Sequence, residues 1–147
     1  FLAAQACIPY LKQAVNPHIL TLSPPLNLEP DNFAPHVAYT ISKYGMSMVM
    51  LGLAREFAPD CIACNCLWPK TTIATAAIEF NFPPEMLRAS RTPAIVADAA
   101  HHILTRDSDT CNGNFFIDEE VLRAAGVEDF EGYAVSPGLP LQKDLFL

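Results

Sequence analysis

Unbroken apolar runs alternate along this chain with longer stretches of helical period. His18-Ile19-Leu20-Thr21-Leu22-Ser23 is a short apolar run closed by Pro24-Pro25, which predicts a buried strand with Ser23 at its C-terminal end. Cys61 to Trp68 predicts a second strand, cut by Pro69, and Asn114-Phe115-Phe116-Ile117-Asp118 a third, entered from Asn112-Gly113. Leu2, Ala6, Ile8 and Leu11 predict a helix over Phe1–Val15 that ends before Asn16-Pro17. The longest run, Val37 to Phe57, predicts one long helix stopping at Pro59. A short helix to about Glu79 follows the loop Lys70–Thr75, and Pro93–Thr105 is helical with its proline in the first turn. Asp118 is expected to cap a further helix through Ala125, terminated by Gly126. Leu26–Pro35 is a loop, Asn81–Thr92 an irregular, Pro-rich candidate for a mobile cover, and Gly132–Leu147 an extended segment.

The resulting order, αβαβααβα, predicts an α/β fold: a parallel sheet of three strands with helices on both faces. In such sheets ligands sit beyond the C-terminal ends of the strands. Ser23 and Pro69-Lys70-Thr71 fall there, and so does the first turn of the helix that joins those strands. The middle of that helix, Met46 to Leu53, is apolar almost all round. Such a helix needs cover beyond the sheet, so a homo-oligomer through helix 37–57 is expected.

Composition narrows the classes. The chain has 147 residues, 51% of them hydrophobic and 17% charged, which suits one globular domain rather than disorder. A net charge of -7 argues against nucleic-acid binding. No apolar run reaches the ~20 residues of a membrane span, and no secretory signal is visible. The first residue is Phe1, in mid-pattern, so the chain is expected to be part of a longer protein. Cys61, Cys64 and Cys66 form C-x-x-C-x-C, but a fourth zinc ligand at suitable spacing is missing. They read as small apolar residues of a buried strand, with no metal site. An odd total of five cysteines without a disulfide framework suggests an intracellular, reducing compartment.

Chemistry concentrates at the start of the long helix. Tyr39 and Lys43, at i and i+4, share one helix face. An ammonium beside a phenol favours the phenolate, so the pair can pass a proton to or from an alcohol or carbonyl. Packing of Tyr39 and solvation of Lys43 is the plainer alternative. Ser23 is either a donor to substrate or a strand-end hydroxyl bonded to backbone. Thr75 is either a ligand contact or a helix cap. His101-His102 reads as an exposed helix pair, and Asp118-Glu119-Glu120 as acidic residues complementing a helix N-terminus. Trp68 either lines a substrate pocket or closes the core.

A strand ending in Ser23, a helix opening with Tyr39-x-x-x-Lys43, and a strand followed by Trp68-Pro69-Lys70-Thr71 resemble the short-chain dehydrogenase/reductase family. The Ser23-Pro24-Pro25-Leu26-Asn27-Leu28 loop and Gly113-Asn114-Phe115-Phe116-Ile117-Asp118-Glu119 are similar to one branch of it, and the resemblance covers essentially all 147 residues. It implies residues 1–147 of a partial domain: the second, catalytic half of a doubly wound, Rossmann-like fold. It implies NAD or NADP as cofactor and a small-molecule alcohol or carbonyl substrate, lipid- or steroid-like in class. Tyr39 would then be the general acid/base, Lys43 its partner and holder of the nicotinamide ribose, and Ser23 a donor to the substrate oxygen. Pro69, Thr71, Ile73 and Thr75 would hold the nicotinamide end, Ile73 through main-chain groups to the carboxamide and Thr75 toward the pyrophosphate. By resemblance alone, peroxisome or mitochondrion are the expected compartments, and a sterol-carrier domain can follow in such proteins.

Several positions depart from the family pattern. The Ser23-to-Tyr39 interval is longer than usual, Lys70 replaces a glycine, and neither a glycine-rich phosphate loop nor the family's catalytic Asn has a match. A non-catalytic, dimerising or lipid-associated accessory module is therefore the alternative expectation, and the fragment alone is expected to be inactive.

Overall fold

The computed structural model describes residues 1–147. Six α-helices and three strands follow the order α1 (Leu2–Leu11), β1 (His18–Leu22), α2 (Val37–Glu56), β2 (Ala63–Trp68), α3 (Ala76–Asn81), α4 (Pro84–Arg88), α5 (Ala94–Leu104), β3 (Phe115–Ile117) and α6 (Asp118–Ala124). The fold is α/β, with one parallel sheet in the order β1-β2-β3. β1 and β2 pair in parallel from His18↔Ala63 to Leu22↔Leu67, so both strands end at one edge. The chain divides into two compact units.

The first unit comprises residues 1–68, 103–116 and 146. Every residue of β2 is buried, as a central strand covered on both faces requires. Cys64 and Cys66 pack with Met50, Leu53 and Ala54 of α2, and with Ile62. Ala4, Ile8 and Leu11 of α1, at i, i+4 and i+7, pack against the same cluster. Each aliphatic side chain fully buried in this way contributes about 1.5–3 kcal/mol. Cys61 lies outside the strand. It is exposed, with φ +54°, and closes the turn after Ala58–Asp60.

The buried polar residue of β2 is Asn65. Its Nδ2 donates to Cys111 C=O at 2.6 Å, and its Oδ1 accepts from Asn114 N–H at 2.9 Å and Asn114 Nδ2 at 3.0 Å. That single amide fixes how the chain enters β3. Asn65→Ala leaves these groups without partners in a dry setting and should cost about 1–3 kcal/mol, read as a lower denaturation midpoint of the full-length protein. A shift below about 0.5 kcal/mol would mean that water replaces the amide.

α2 carries a polar stripe on its buried face. Thr40 Oγ1 donates to Asn32 C=O, Lys43 Nζ to Leu22 C=O, Tyr44 Oη to Asn27 C=O and Ser47 Oγ to Pro24 C=O. The residues recur at helical spacing, and each takes a carbonyl of the segment 22–32. Prolines there supply carbonyls but no N–H groups, so the helix provides the missing donors.

The second unit comprises residues 69–102, 117–145 and 147. Segment 70–74 is held between two neighbours. Thr72 N–H donates to Gln142 C=O and Asp144 N–H to Lys70 C=O on one side, while Arg91 N–H donates to Thr72 C=O and Ala74 N–H to Arg91 C=O on the other. Ile95, Ala99, Ile117, Val121, Leu122 and Phe130 are its buried apolar residues.

Three expectations need correction. α1 stops at Leu11, four residues before Val15, its last turn containing Pro9. Segment 81–92 is not irregular: α3 runs to Asn81, and α4 starts on Pro84, where a proline suits a first helical turn. Asp118 is not a cap but the first residue of α6, its carboxylate accepting from Lys70 N–H and Glu119 N–H. Within a single copy of the chain, α2 buries Met50 and Leu53 and exposes Met46, Met48 and Leu51. Gly126, at φ +94°, ends α6 as its sequence position predicts.

Candidate active site

At the sheet edge of the first unit, α2 begins beside the ends of β1 and β2. Lys43 is drawn to that edge because its ammonium donates to Leu22 C=O at 3.2 Å, the last carbonyl of β1. The same ammonium lies 5.3 Å from the centre of the Trp68 ring, the last residue of β2, and 5.9 Å from the Tyr39 ring. A cation over aromatic faces is attracted by their negative quadrupoles, which fixes its position further. Tyr39 stays 43% exposed, so its phenol edge is reachable from outside.

Ser23 follows β1 directly, yet it is fully buried and its Oγ makes no hydrogen bond. Burial pushes the Cys66 thiol up, while the nearby hydroxyls of Ser23 and Ser47 pull it the other way. Burial also pushes Cys64 up, to about 11. Both thiols therefore stay protonated near neutral pH and act as small apolar groups. Nowhere do three His, Cys, Asp or Glu side chains gather as metal ligands.

Pro69, Thr71, Ile73 and Thr75 belong to the second unit. Thr71 is buried, and its Oγ1 has no hydrogen-bond partner. Ile73 pairs with Arg91 through the bonds of its neighbours Thr72 and Ala74, so its own N–H and C=O take no part in that ladder. Thr75 is the N-cap residue of α3, but its side chain makes no capping bond. Lys70, the departure from the family glycine, has a structural role here. Its Nζ donates to Glu119 Oε1 at 2.8 Å.

Glu119 is the group that sequence reasoning missed. Its acidic neighbours and helix-start position signal only a favourable dipole, yet its carboxylate is buried and bonded to Lys70, Arg91 and Arg123. Burial alone would raise this carboxyl, but those three cationic donors outweigh it and hold it down at about 2. Arg91 and Arg123 both lie over the ring of Phe130, at 5.4 and 4.7 Å. Phe146 was equally invisible, being one apolar residue in a Pro-rich segment. Its buried ring contacts Tyr39, Tyr44 and Trp68.

No family model matches the chain. Hydroxysteroid dehydrogenase-like protein 2 of Homo sapiens is 52% identical over all 147 residues, which span 35% of that protein. Among solved structures, a candidate dehydrogenase from Xanthomonas campestris shares 52% identity with a TM-score of 0.93, over 100% of this chain and 54% of its own. A short chain dehydrogenase from Mycobacterium thermoresistibile shares 44% identity with a TM-score of 0.88, over 98% of this chain and 51% of its own. The chain thus spans about a third of the curated relative and about half of each solved one. Over its whole described length the chain is thus similar, in sequence and in fold, to dehydrogenases of the short-chain dehydrogenase/reductase family.

Proposed function

We propose that this chain carries the proton-transfer machinery of an NAD(P)-dependent oxidoreductase acting on an alcohol or carbonyl substrate. The single observation that carries the reading is Lys43, held by Leu22 C=O and poised over the Tyr39 ring at the strand ends. Tyr39 gives its hydroxyl proton to a carbonyl oxygen as that oxygen gains charge, or accepts the proton of an alcohol in reverse. Lys43 supplies positive charge beside the phenol oxygen when its proton has left, in a setting where the charge cannot wander. Ser23 has an unused hydroxyl that suits a substrate oxygen, and the loop after it must open for the two to meet.

The second unit fits a primary amide in kind. Ile73 offers one main-chain donor and one acceptor, and Thr71 an unpaired hydroxyl, the complement of a nicotinamide carboxamide. Pro69 shapes the turn before them, and Thr75, with its hydroxyl free of the capping role, is oriented toward the pyrophosphate in this reading. A bound nicotinamide supplies or accepts the hydride; the residues named here bind, orient and move protons. The test is turnover of NADH or NADPH with a panel of ketones by the full-length protein and its Tyr39→Phe variant.

The working form is proposed to be a homo-oligomer paired through α2. Val37, Ile41, Met48 and Leu51 are all about half exposed and follow one helix stripe, which also contains the open positions of Gly45 and Gly52. A second copy of this stripe would bury those apolar groups. Ile41→Asp should shift the sedimentation coefficient of the full-length protein toward that of the monomer. An unchanged coefficient would remove this pairing. No helix is long and apolar enough to cross a membrane.

A further inference from the structure

Phe146 is buried to 6% exposure, although Leu145 and Leu147 on either side are 41% and 37% exposed. Its ring lies 6.1 Å from that of Tyr39 at an interplanar angle of 17°, 5.2 Å from Tyr44 and 5.8 Å from Trp68. The backbone accepts φ +71° to place it there, a left-handed conformation that a bulky side chain rarely adopts. Strain of this kind persists only where surrounding contacts hold it. The three aromatic contacts are what hold it here. Two of the walls are themselves pinned: Tyr44 bonds Asn27 C=O and meets the edge of Phe33, and Trp68 lies under the Lys43 ammonium. The seat is rigid around one ring carried by an otherwise exposed stretch.

We infer that Phe146 determines the size of the substrate group accepted beside Tyr39. The inference rests on the reading of Tyr39 as the proton donor and acceptor. A carbonyl oxygen bonded to the Tyr39 hydroxyl carries two substituents into the space around that ring. Phe146 fills one side of it with a ring nearly parallel to the phenol, and Tyr44 and Trp68 contribute further aromatic surface to the seat. The Phe146 ring offers no hydrogen-bond partner, so the substituent received there is apolar. An unbranched or small group slides along the ring face, and a bulky one collides with it. The preferred substrate class is an apolar ketone or secondary alcohol with one small substituent.

The experiment compares wild-type full-length protein with Phe146→Ala and Phe146→Leu, using 2-butanone and 1-adamantyl methyl ketone with NADH or NADPH. Phe146→Ala should raise the kcat/KM of the bulky ketone relative to the small one by about tenfold or more, with Phe146→Leu in between, since pocket volume discriminates on that scale. Trp68 is 5% exposed, so the part of the full-length protein's emission that Trp68→Phe removes reports the same seat. Phe146→Ala should red-shift that emission and make it more accessible to acrylamide. An unchanged selectivity ratio in both variants, with turnover still abolished by Tyr39→Phe, would overturn the inference while leaving the reading of Tyr39 intact. Turnover that survives Tyr39→Phe would instead overturn that reading, and the inference with it. If neither ketone is turned over, titration of Trp68 emission with 1-adamantyl methyl ketone decides: tighter binding by Phe146→Ala supports the size gate, and equal affinity refutes it.

Discussion

In the full-length protein, Tyr39→Phe is expected to lower turnover on every accepted ketone by roughly 10²- to 10⁴-fold, the usual contribution of a positioned proton donor. The change deletes one hydroxyl and keeps the ring. The near-parallel contact with Phe146 and the ammonium of Lys43 over the ring face both survive it. Lys43 also keeps its bond to Leu22 C=O, so the cation should not relocate. Stability should move by no more than about 1 kcal/mol, because the residue is 43% exposed and its ring is kept. The two quantities must be read together. Lost turnover with an unchanged thermal transition supports proton transfer by Tyr39, whereas lost turnover with a collapsed transition would mean only damage. Turnover that survives the substitution removes Tyr39 from the chemistry and favours the accessory-module reading.

The largest expected effect on stability is at Glu119. Its carboxylate meets Arg91 at 2.7 Å, Lys70 at 2.8 Å and Arg123 at 3.0 Å. These partners are not equal. The Lys70 and Arg123 side chains are about half exposed, so water screens both and each contributes little. The Arg91 side chain is only 6% exposed, and its Nε already lacks a partner. Glu119→Ala leaves that guanidinium buried without its bonded carboxylate, which should cost about 3–5 kcal/mol. Chemical denaturation of the full-length protein at pH 7 measures it directly. A cost below about 1 kcal/mol would show that Arg91 reaches water when its partner is gone.

The same group predicts a pH dependence with a definite sign. The folded carboxyl is held at about 2, below its ordinary 4.5. Its contribution is therefore complete above about pH 4.5 and is lost as the pH falls toward 2. Asp118, its neighbour, opposes this. Burial raises its carboxyl despite the N–H groups of Lys70 and Glu119, so the folded state takes up that proton first and gains relative stability on acidification. The stability difference between wild type and Glu119→Ala should thus shrink between pH 4.5 and 2. A difference constant across that window would mean that Glu119 is not the titrating partner of Arg91.

The strands and the main helices were legible because their signals are local. β1 and β2 are largely apolar runs bounded by proline, and α2 ends near the Pro59 that its sequence supplies. Tyr39 and Lys43 were legible for the same reason, since a four-residue spacing on a helix fixes their common face. Segment 81–92 was misread because its prolines look like breakers, whereas Pro84 in a first helical turn costs nothing. Asp118 was misread as a cap because cap and first-turn positions share the same acidic preference.

What lay beyond the sequence depended on contacts between distant residues. Glu119 meets Lys70, 49 positions away, and Asn65 meets Asn114 at the same separation. No local pattern encodes such a pairing, because burial is decided by which elements pack and not by which residues adjoin. Phe146 is the clearest case. Local sequence says only that an apolar residue lies in an extended segment, and its seat against Tyr39, Tyr44 and Trp68 exists only after α2 and β2 have packed. The sequence by itself determined the α/β alternation, the sheet edge at which β1 and β2 end and the common helix face of Tyr39 and Lys43, all carried by periodicity over a few residues. Tertiary structure alone decided the burial of Ser23, the charge cluster at Glu119 and the ring beside Tyr39, because each is a packing outcome that requires distant segments of the chain to meet.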